Sequence, residues 1–216
     1  VITFTFSEAP VVFTNDDVVL VGGTLSAVAI DATGGKKYTA TFTPTENSTT
    51  AASITVSTGY TDAAGNTGVA GTTPSITIDT LAPTLTSSTP ADDARVVYVS
   101  SNIVLTFSES IGAGTGNIVV SNGAGDTRTI AVGDASQVTI SGNTVTINPT
   151  GDLWVNSVYS VRLAAGVLRD AAGNGYAADT TETPTGSLLG QVKWFRNGAG
   201  YGYGFITCVS ENTPQF

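Results

Sequence analysis

Short runs in which apolar residues alternate with Thr, Ser and Asn recur along most of the chain. Such alternation sends successive side chains to opposite faces, as a half-buried strand requires. Val18-Val19-Leu20-Val21, Ser26 to Ile30, Tyr38 to Phe42, Ile54 to Val56 and Ile76 to Ile78 read as strands of the first half. Val96 to Val99, Ile103 to Phe107, Ile118 to Val120, Val138 to Ile140, Val145 to Ile147 and Val158 to Leu163 read as strands of the second. Turn signals part them at Gly22-Gly23, Gly34-Gly35, Asn122-Gly123, Ser141-Gly142-Asn143 and Thr150-Gly151-Asp152. No window of a dozen residues places apolar positions at helical spacing, so helix is expected only as single turns.

The pattern repeats. Ile2-Thr3-Phe4-Thr5-Phe6-Ser7-Glu8 returns as Ile103-Val104-Leu105-Thr106-Phe107-Ser108-Glu109, an offset of 101 from Phe6 to Phe107. Thr61-Asp62-Ala63-Ala64-Gly65-Asn66 returns as Arg169-Asp170-Ala171-Ala172-Gly173-Asn174, an offset of 108 from Asp62 to Asp170. Two motifs recurring at nearly one spacing make a repeat of about 100 residues, the size of a small β-sandwich. Leu81-Ala82-Pro83-Thr84 marks the joint, where Pro83 stiffens a short linker. The second copy carries about 20 residues ahead of its Phe-Ser-Glu strand and the first a single residue. A first unit without its opening strand is therefore expected, with a sheet edge that a neighbour could pair with.

Composition agrees with an all-β chain: hydrophobic residues make up 41% of the 216 residues, charged residues 12%, and there are 25 glycines. Eight basic against 17 acidic residues give a net charge of −9. That charge repels phosphate backbones and anionic membranes and attracts cations. The one cysteine, Cys208, has no partner for an intrachain disulfide, and no stretch approaches the roughly 18 apolar residues of a membrane span. The absence of Met, at position 1 as elsewhere, suggests a mature product or an excised piece.

The Phe-Ser-Glu strand, the Asp-Ala-Ala-Gly-Asn loop and the Ile78-Asp79-Thr80-Leu81-Ala82-Pro83-Thr84 joint resemble the bacterial Ig-like repeats of adhesins, biofilm and S-layer proteins, also found on phage virions. The resemblance covers residues 1 to about 184. It implies tandem immunoglobulin-like sandwiches, a stalk or spacer role and frequent stiffening by calcium. Gly190-Gln191-Val192-Lys193-Trp194-Phe195 and Gly202-Tyr203-Gly204-Phe205-Ile206-Thr207 are similar to the first two strands of a cold-shock domain. That likeness implies that Lys193, Trp194, Tyr203 and Phe205 would contact single-stranded nucleic acid. The loop between the two strands is longer than usual for that family, and the second motif and three further strands do not follow. A five-stranded barrel is not closed by two strands. The acidic charge and the missing motif argue against nucleic-acid binding, and a hairpin packed on a sandwich or on another subunit is expected instead.

Catalytic chemistry has little to draw on. The chain has no histidine, which excludes Ser-His-Asp and Cys-His constellations and imidazole metal sites, and Cys208 has no evident activating partner. The adjacent carboxylates Asp16-Asp17 and Asp92-Asp93 read as solvated charge. The acidic turns are the sharper case. Calcium takes about six to eight oxygens, and Asp62, Asn66 and Asp79 could bring such oxygens to the end of the first unit. Asp170 and Asn174 repeat the arrangement, with Glu8 and Glu109 as further contributors. The competing reading is that Asp and Asn close their own turns while Gly65 and Gly173 supply positive φ. Trp154, bracketed by Leu153 and Val155, reads as a core residue, against the alternative of an exposed platform for a sugar.

The expectation is thus an all-β chain of two tandem immunoglobulin-like β-sandwiches, 1–81 and 82–185, followed by a β-hairpin-like segment, 186–216, resembling part of a cold-shock domain. Its function is a non-enzymatic structural or adhesive spacer of a cell surface or virion surface, with Ca²⁺ as the expected ion. Alternatives are a virion decoration protein assembled through the C-terminal segment and a nucleic-acid-binding protein. Partners are neighbouring Ig-like domains or subunits, with a surface receptor or glycan as further ligands.

Overall fold

The structure, a computed structural model, describes residues 1–91, 94, 97–177, 195–196 and 202–209, the last two stretches as backbone strands. The chain divides into two compact units, Val1–Leu81 and Ala82–Phe216. Helix among the described residues is a 3-10 turn at Asn15–Asp17; the rest of the regular structure is strand.

In the first unit Ile2–Thr5 pairs antiparallel with Lys37–Ala40, which also takes Ala29–Ile30 on its other side. A second sheet runs Val18–Val21, Ser53–Val56, Gly71–Thr72. Gly23–Leu25 pairs separately with Phe42–Pro44. Alternation explains which residues face inward: Tyr38 and Ala40 are buried in KYTA, and Phe4 is buried in ITFT. Phe13 sits at the centre, with ring centroids 5.2 Å from Phe4, 4.9 Å from Phe6, 5.3 Å from Tyr38 and 5.9 Å from Tyr60, all edge to face. This geometry suits the ring quadrupoles, each pair adding about 0.5–1.5 kcal/mol beyond area burial.

Several expected strands come out differently. Of Ser26 to Ile30 only Ala29–Ile30 is strand, because the Asn15 amide donates to Ser26 O at 3.0 Å and accepts from Val28 N at 2.8 Å, occupying the backbone there. Ile76 to Ile78 shrinks to one bridge, Ile76 with Ala52, its two backbone bonds both 2.8 Å. Gly22-Gly23 marks the point where the chain leaves one sheet for another, with Gly22 at φ +82°.

The second unit faces two sheets across one core. One runs Val138–Ser141, Thr144–Ile147, Ile103–Phe107, Leu85–Thr89, all antiparallel. The other runs Val97–Tyr98, Gly202–Val209, Ser157–Leu163, Asn117–Ser121, Thr127–Ala131. Gly202–Val209 is parallel to Val97–Tyr98 and antiparallel to Ser157–Leu163, and Phe195–Arg196 pairs with its start. Ile103, Leu105, Phe107, Val145 and Ile147 from the first sheet meet Ile118, Val120, Ile130, Tyr159 and Val161 from the second. Each fully buried aliphatic side chain contributes about 1.5–3 kcal/mol, so this cluster supplies most of the unit's driving force. Leu85–Thr89 and Thr127–Ala131 escaped the apolar pattern because LTSST and TRTIA are mostly Thr, Ser and Arg. Position in the sheet, more than side-chain type, makes them strands.

Candidate functional site

The two Asp-Ala-Ala-Gly-Asn loops adopt one geometry. In the first unit Asp62 Oδ1 accepts from the backbone N–H of Ala64 at 2.9 Å and of Asn66 at 2.8 Å, and Oδ2 accepts from Asn66 Nδ2 at 2.8 Å. In the second, Asp170 Oδ1 accepts from Asn174 N at 2.8 Å and Oδ2 from Asn174 Nδ2 at 2.7 Å. The backbone N–H groups of Asp62 and Asp170 donate to the carbonyls of Asn66 and Asn174, their own carbonyls accept from Gly65 N and Gly173 N, and those two glycines take the positive φ values, +84° and +97°, that the bend requires. Each loop is therefore a turn closed by its own Asp and Asn.

The settings differ. Asp62 is half-buried, whereas Asp170 is 8% exposed. For Asp62 the Asn66 amide and the turn's backbone N–H groups hold the carboxyl below the usual carboxylate range. For Asp170 burial pushes the pKa up, but the hydrogen bonds from Asn174, Gly173 and Ala172 outweigh it and the net shift is downward. Both residues are thus anionic at neutral pH. In the second unit an oxygen of Glu109 lies within 4.8 Å of an oxygen of Asp170. Asp79 is held in another turn, where its Oδ1 accepts from Leu81 N at 3.1 Å. Glu8 is exposed at the end of the first unit's opening strand.

A buried polar network that the residue pattern did not disclose lies in the second unit. Arg128 donates through Nε to Asp126 Oδ1 at 3.2 Å and through Nη2 to Oδ2 at 3.1 Å, and Tyr159 donates its hydroxyl to Asp126 Oδ2. Arg128 also donates to the carbonyls of Thr150 at 2.9 Å, Gly151 at 2.5 Å and Asp152 at 2.6 Å, and Trp154 N–H donates to Tyr159 Oη at 2.9 Å. The Arg128 guanidinium holds the Asp126 carboxyl below its usual range against the opposing effect of burial. Burial and the Asp126 hydrogen bond push the Tyr159 hydroxyl upward. The Asp126-Thr127-Arg128 spacing, two residues apart on one strand face, is the only sequence signal of the pair.

Trp154 corrects its expected core position: it is 53% exposed, with the far edge of its indole beside Gly125. Leu153 takes the buried place, anchored by its N–H to Val99 O at 3.1 Å. Asp16 and Asp17 lie in the 3-10 turn, Asp17 accepting from Thr14 N at 3.0 Å. Asp92, Asp93, Lys193 and Trp194 lie outside the described residues. Tyr203 and Phe205 fall in the Gly202–Val209 strand, where register sets Tyr203 opposite Phe195 and Phe205 opposite Ser160.

Comparison with known families finds two different family models, each described as a bacterial Ig-like domain, one over residues 1–78 and the other over residues 79–186. No curated protein and no solved structure matches the chain.

Proposed function

The chain belongs to the bacterial Ig-like domain family, and from that premise we propose that it is a non-enzymatic spacer in a surface array, with its acidic turns as calcium sites. Domains of this family are typically non-catalytic structural modules of extracellular or surface proteins. No helix among the described residues is long and apolar enough to cross a membrane. The observation that carries the reading is the same Asp–Asn turn built twice in tandem, each at the end of its own core.

Calcium suits the oxygens on offer. In the second unit Asp170 and Glu109 bring two carboxylates together and Asn174 adds an amide carbonyl; in the first unit Asp62 and Asn66 offer the same pair of oxygens, carboxylate and amide. Carboxylates offer about four lone-pair sites each, so those already closing a turn retain capacity for an ion. A bound ion would neutralise the Asp170–Glu109 repulsion and tie the loop to the end of the Ile103–Phe107 strand.

Thermal melts in Ca²⁺ and in EDTA test the ion. Binding to the folded state at 100 times Kd contributes about 2.7 kcal/mol, so the melting temperature should rise with Ca²⁺ and the rise should vanish in Asp170→Ala and Glu109→Ala. Melts that coincide in the two buffers would leave the loops as turns alone. Single-molecule pulling tests the spacer role: a load-bearing module should give one abrupt unfolding event per unit, and gradual extension without such events would rule it out.

A further inference from the structure

The sheet of the second unit has a slot that its neighbours in sequence do not fill. In the first unit the strand order is Val18–Val21, Ser53–Val56, Gly71–Thr72, so the place beside Ser53–Val56 goes to residues beginning nine positions after Asp62. Counting nine from Asp170, its counterpart in the repeat, reaches residue 179. The corresponding place beside Ser157–Leu163 is taken instead by Gly202–Val209, beyond the part matched by the family.

The slot is lined on both sides. Ser157 to Val161 pair antiparallel with Cys208 to Gly204, and Val97 and Tyr98 pair in parallel with Cys208 and Val209. Leaving it empty would strip backbone partners from two strands that frame the core, since Val97, Tyr159 and Val161 are all buried. Register sets Gly204 opposite Val161 and Ile206 opposite Tyr159.

We propose that this slot is an exchangeable strand acceptor, and that Gly202–Val209 of a second copy occupies it in place of the chain's own strand. Residues 178–194 separate the described body of the unit from Phe195–Arg196, which pairs with the strand. Those 17 residues reach about 60 Å when extended, several times the roughly 13 Å radius of gyration of a 100-residue domain. The chain's length therefore does not confine the strand to its own slot. The strand makes the same ladder whichever copy supplies it, so chain concentration decides between closure within one chain and exchange between two. The partner is thus a second copy of this chain, joined by backbone pairing.

The sole cysteine supplies the test, because Cys208 stands opposite Ser157 on one side and Val97 on the other. The full chain carrying Ser157→Cys is refolded at ~1 µM and at ~500 µM, dilute and approaching the millimolar effective concentrations of linked modules, from mixed isotope-labelled and unlabelled protein, then oxidised and mapped by mass spectrometry. At the low concentration the new thiol should link to Cys208 within one chain. At the high concentration the same 157–208 link should join labelled to unlabelled chains, with at least a tenfold rise in covalent dimer. A 157–208 link confined to one chain at both concentrations would overturn the exchange. Absence of the link, or dimers joined only through two copies of Cys208, would overturn the slot itself. Val97→Cys repeats the measurement from the other flank should Ser157→Cys disturb folding.

Discussion

The two units carry the same closing turn and the same Phe-Ser-Glu strand but reach stability by different routes. The first gathers Phe4, Phe6, Phe13, Tyr38 and Tyr60 edge to face around a small buried cluster. The second spreads its core over aliphatic residues of two facing sheets and adds the largely buried Asp126–Arg128 ion pair. Its Ile103–Phe107 strand is flanked on both sides, by Thr144–Ile147 and Leu85–Thr89, whereas Ile2–Thr5 pairs among the described residues with Lys37–Ala40. A repeated motif therefore specifies a turn and a strand, and the surroundings determine how much each copy depends on them.

Core truncation should give the largest effects. Phe107 is 1% exposed and packs edge to face on Tyr176 with centroids 5.5 Å apart; Phe107→Ala should cost about 4 kcal/mol. Phe13→Ala should remove the hub of the first unit at similar cost. Hydrogen exchange resolved by residue would show the loss of protection in the mutated unit's own strands, and equal loss in both units would refute the picture of two separate cores.

Next comes the Asp126–Arg128–Tyr159 network, which has no counterpart among the aromatic contacts of the first unit. Arg128→Ala leaves Asp126 buried without its cation and frees three carbonyls, at a cost of about 3 kcal/mol; denaturant melts measure it. The network also sets the pH limits. Asp126 titrates lower in the folded state, so its contribution is complete above the unfolded carboxylate pKa of about 3.9 and is lost as the pH falls through the folded value. Tyr159 titrates higher when folded, so its contribution is complete below about pH 10 and is lost as the pH rises beyond it. Tyr159→Phe should flatten the alkaline limb and, because its hydroxyl is one of the donors that lower Asp126, weaken the acid limb in part while Arg128 holds the rest; an unchanged alkaline limb would mean that Tyr159 does not govern it.

The smallest effect sharpens the comparison of the turns. Asp170→Ala removes a buried carboxylate that holds its loop together and should cost about 1–2 kcal/mol. Asp62→Ala, in the more exposed copy, should cost less, because water replaces the lost partners. Paired melts in EDTA read the difference directly, and equal costs would show that burial does not distinguish the two turns.

All-β architecture, the two-fold repeat and most strands of the second unit were legible from period-two alternation, because burying one face imposes that pattern residue by residue. The turn glycines were equally legible: Gly34, Gly123, Gly142 and Gly151 all take positive φ, a local backbone demand that residue type records. The internal closure of the Asp-Ala-Ala-Gly-Asn loops was legible for the same reason, since Asp and Asn bond atoms only two to four residues away.

What the tertiary structure alone decided is non-local. Whether Trp154 is covered depends on which neighbour takes the core position, and Leu153 does, held by Val99 from across the unit. Arg128 finds its carbonyl partners more than 20 residues downstream, and Gly202–Val209 finds its place between strands that lie far upstream. Short-range pattern determines the conformation of a segment and the face it buries. It does not determine which distant segment covers that face, because that choice rests on backbone pairing and packing among parts of the chain that meet only when the sheets assemble.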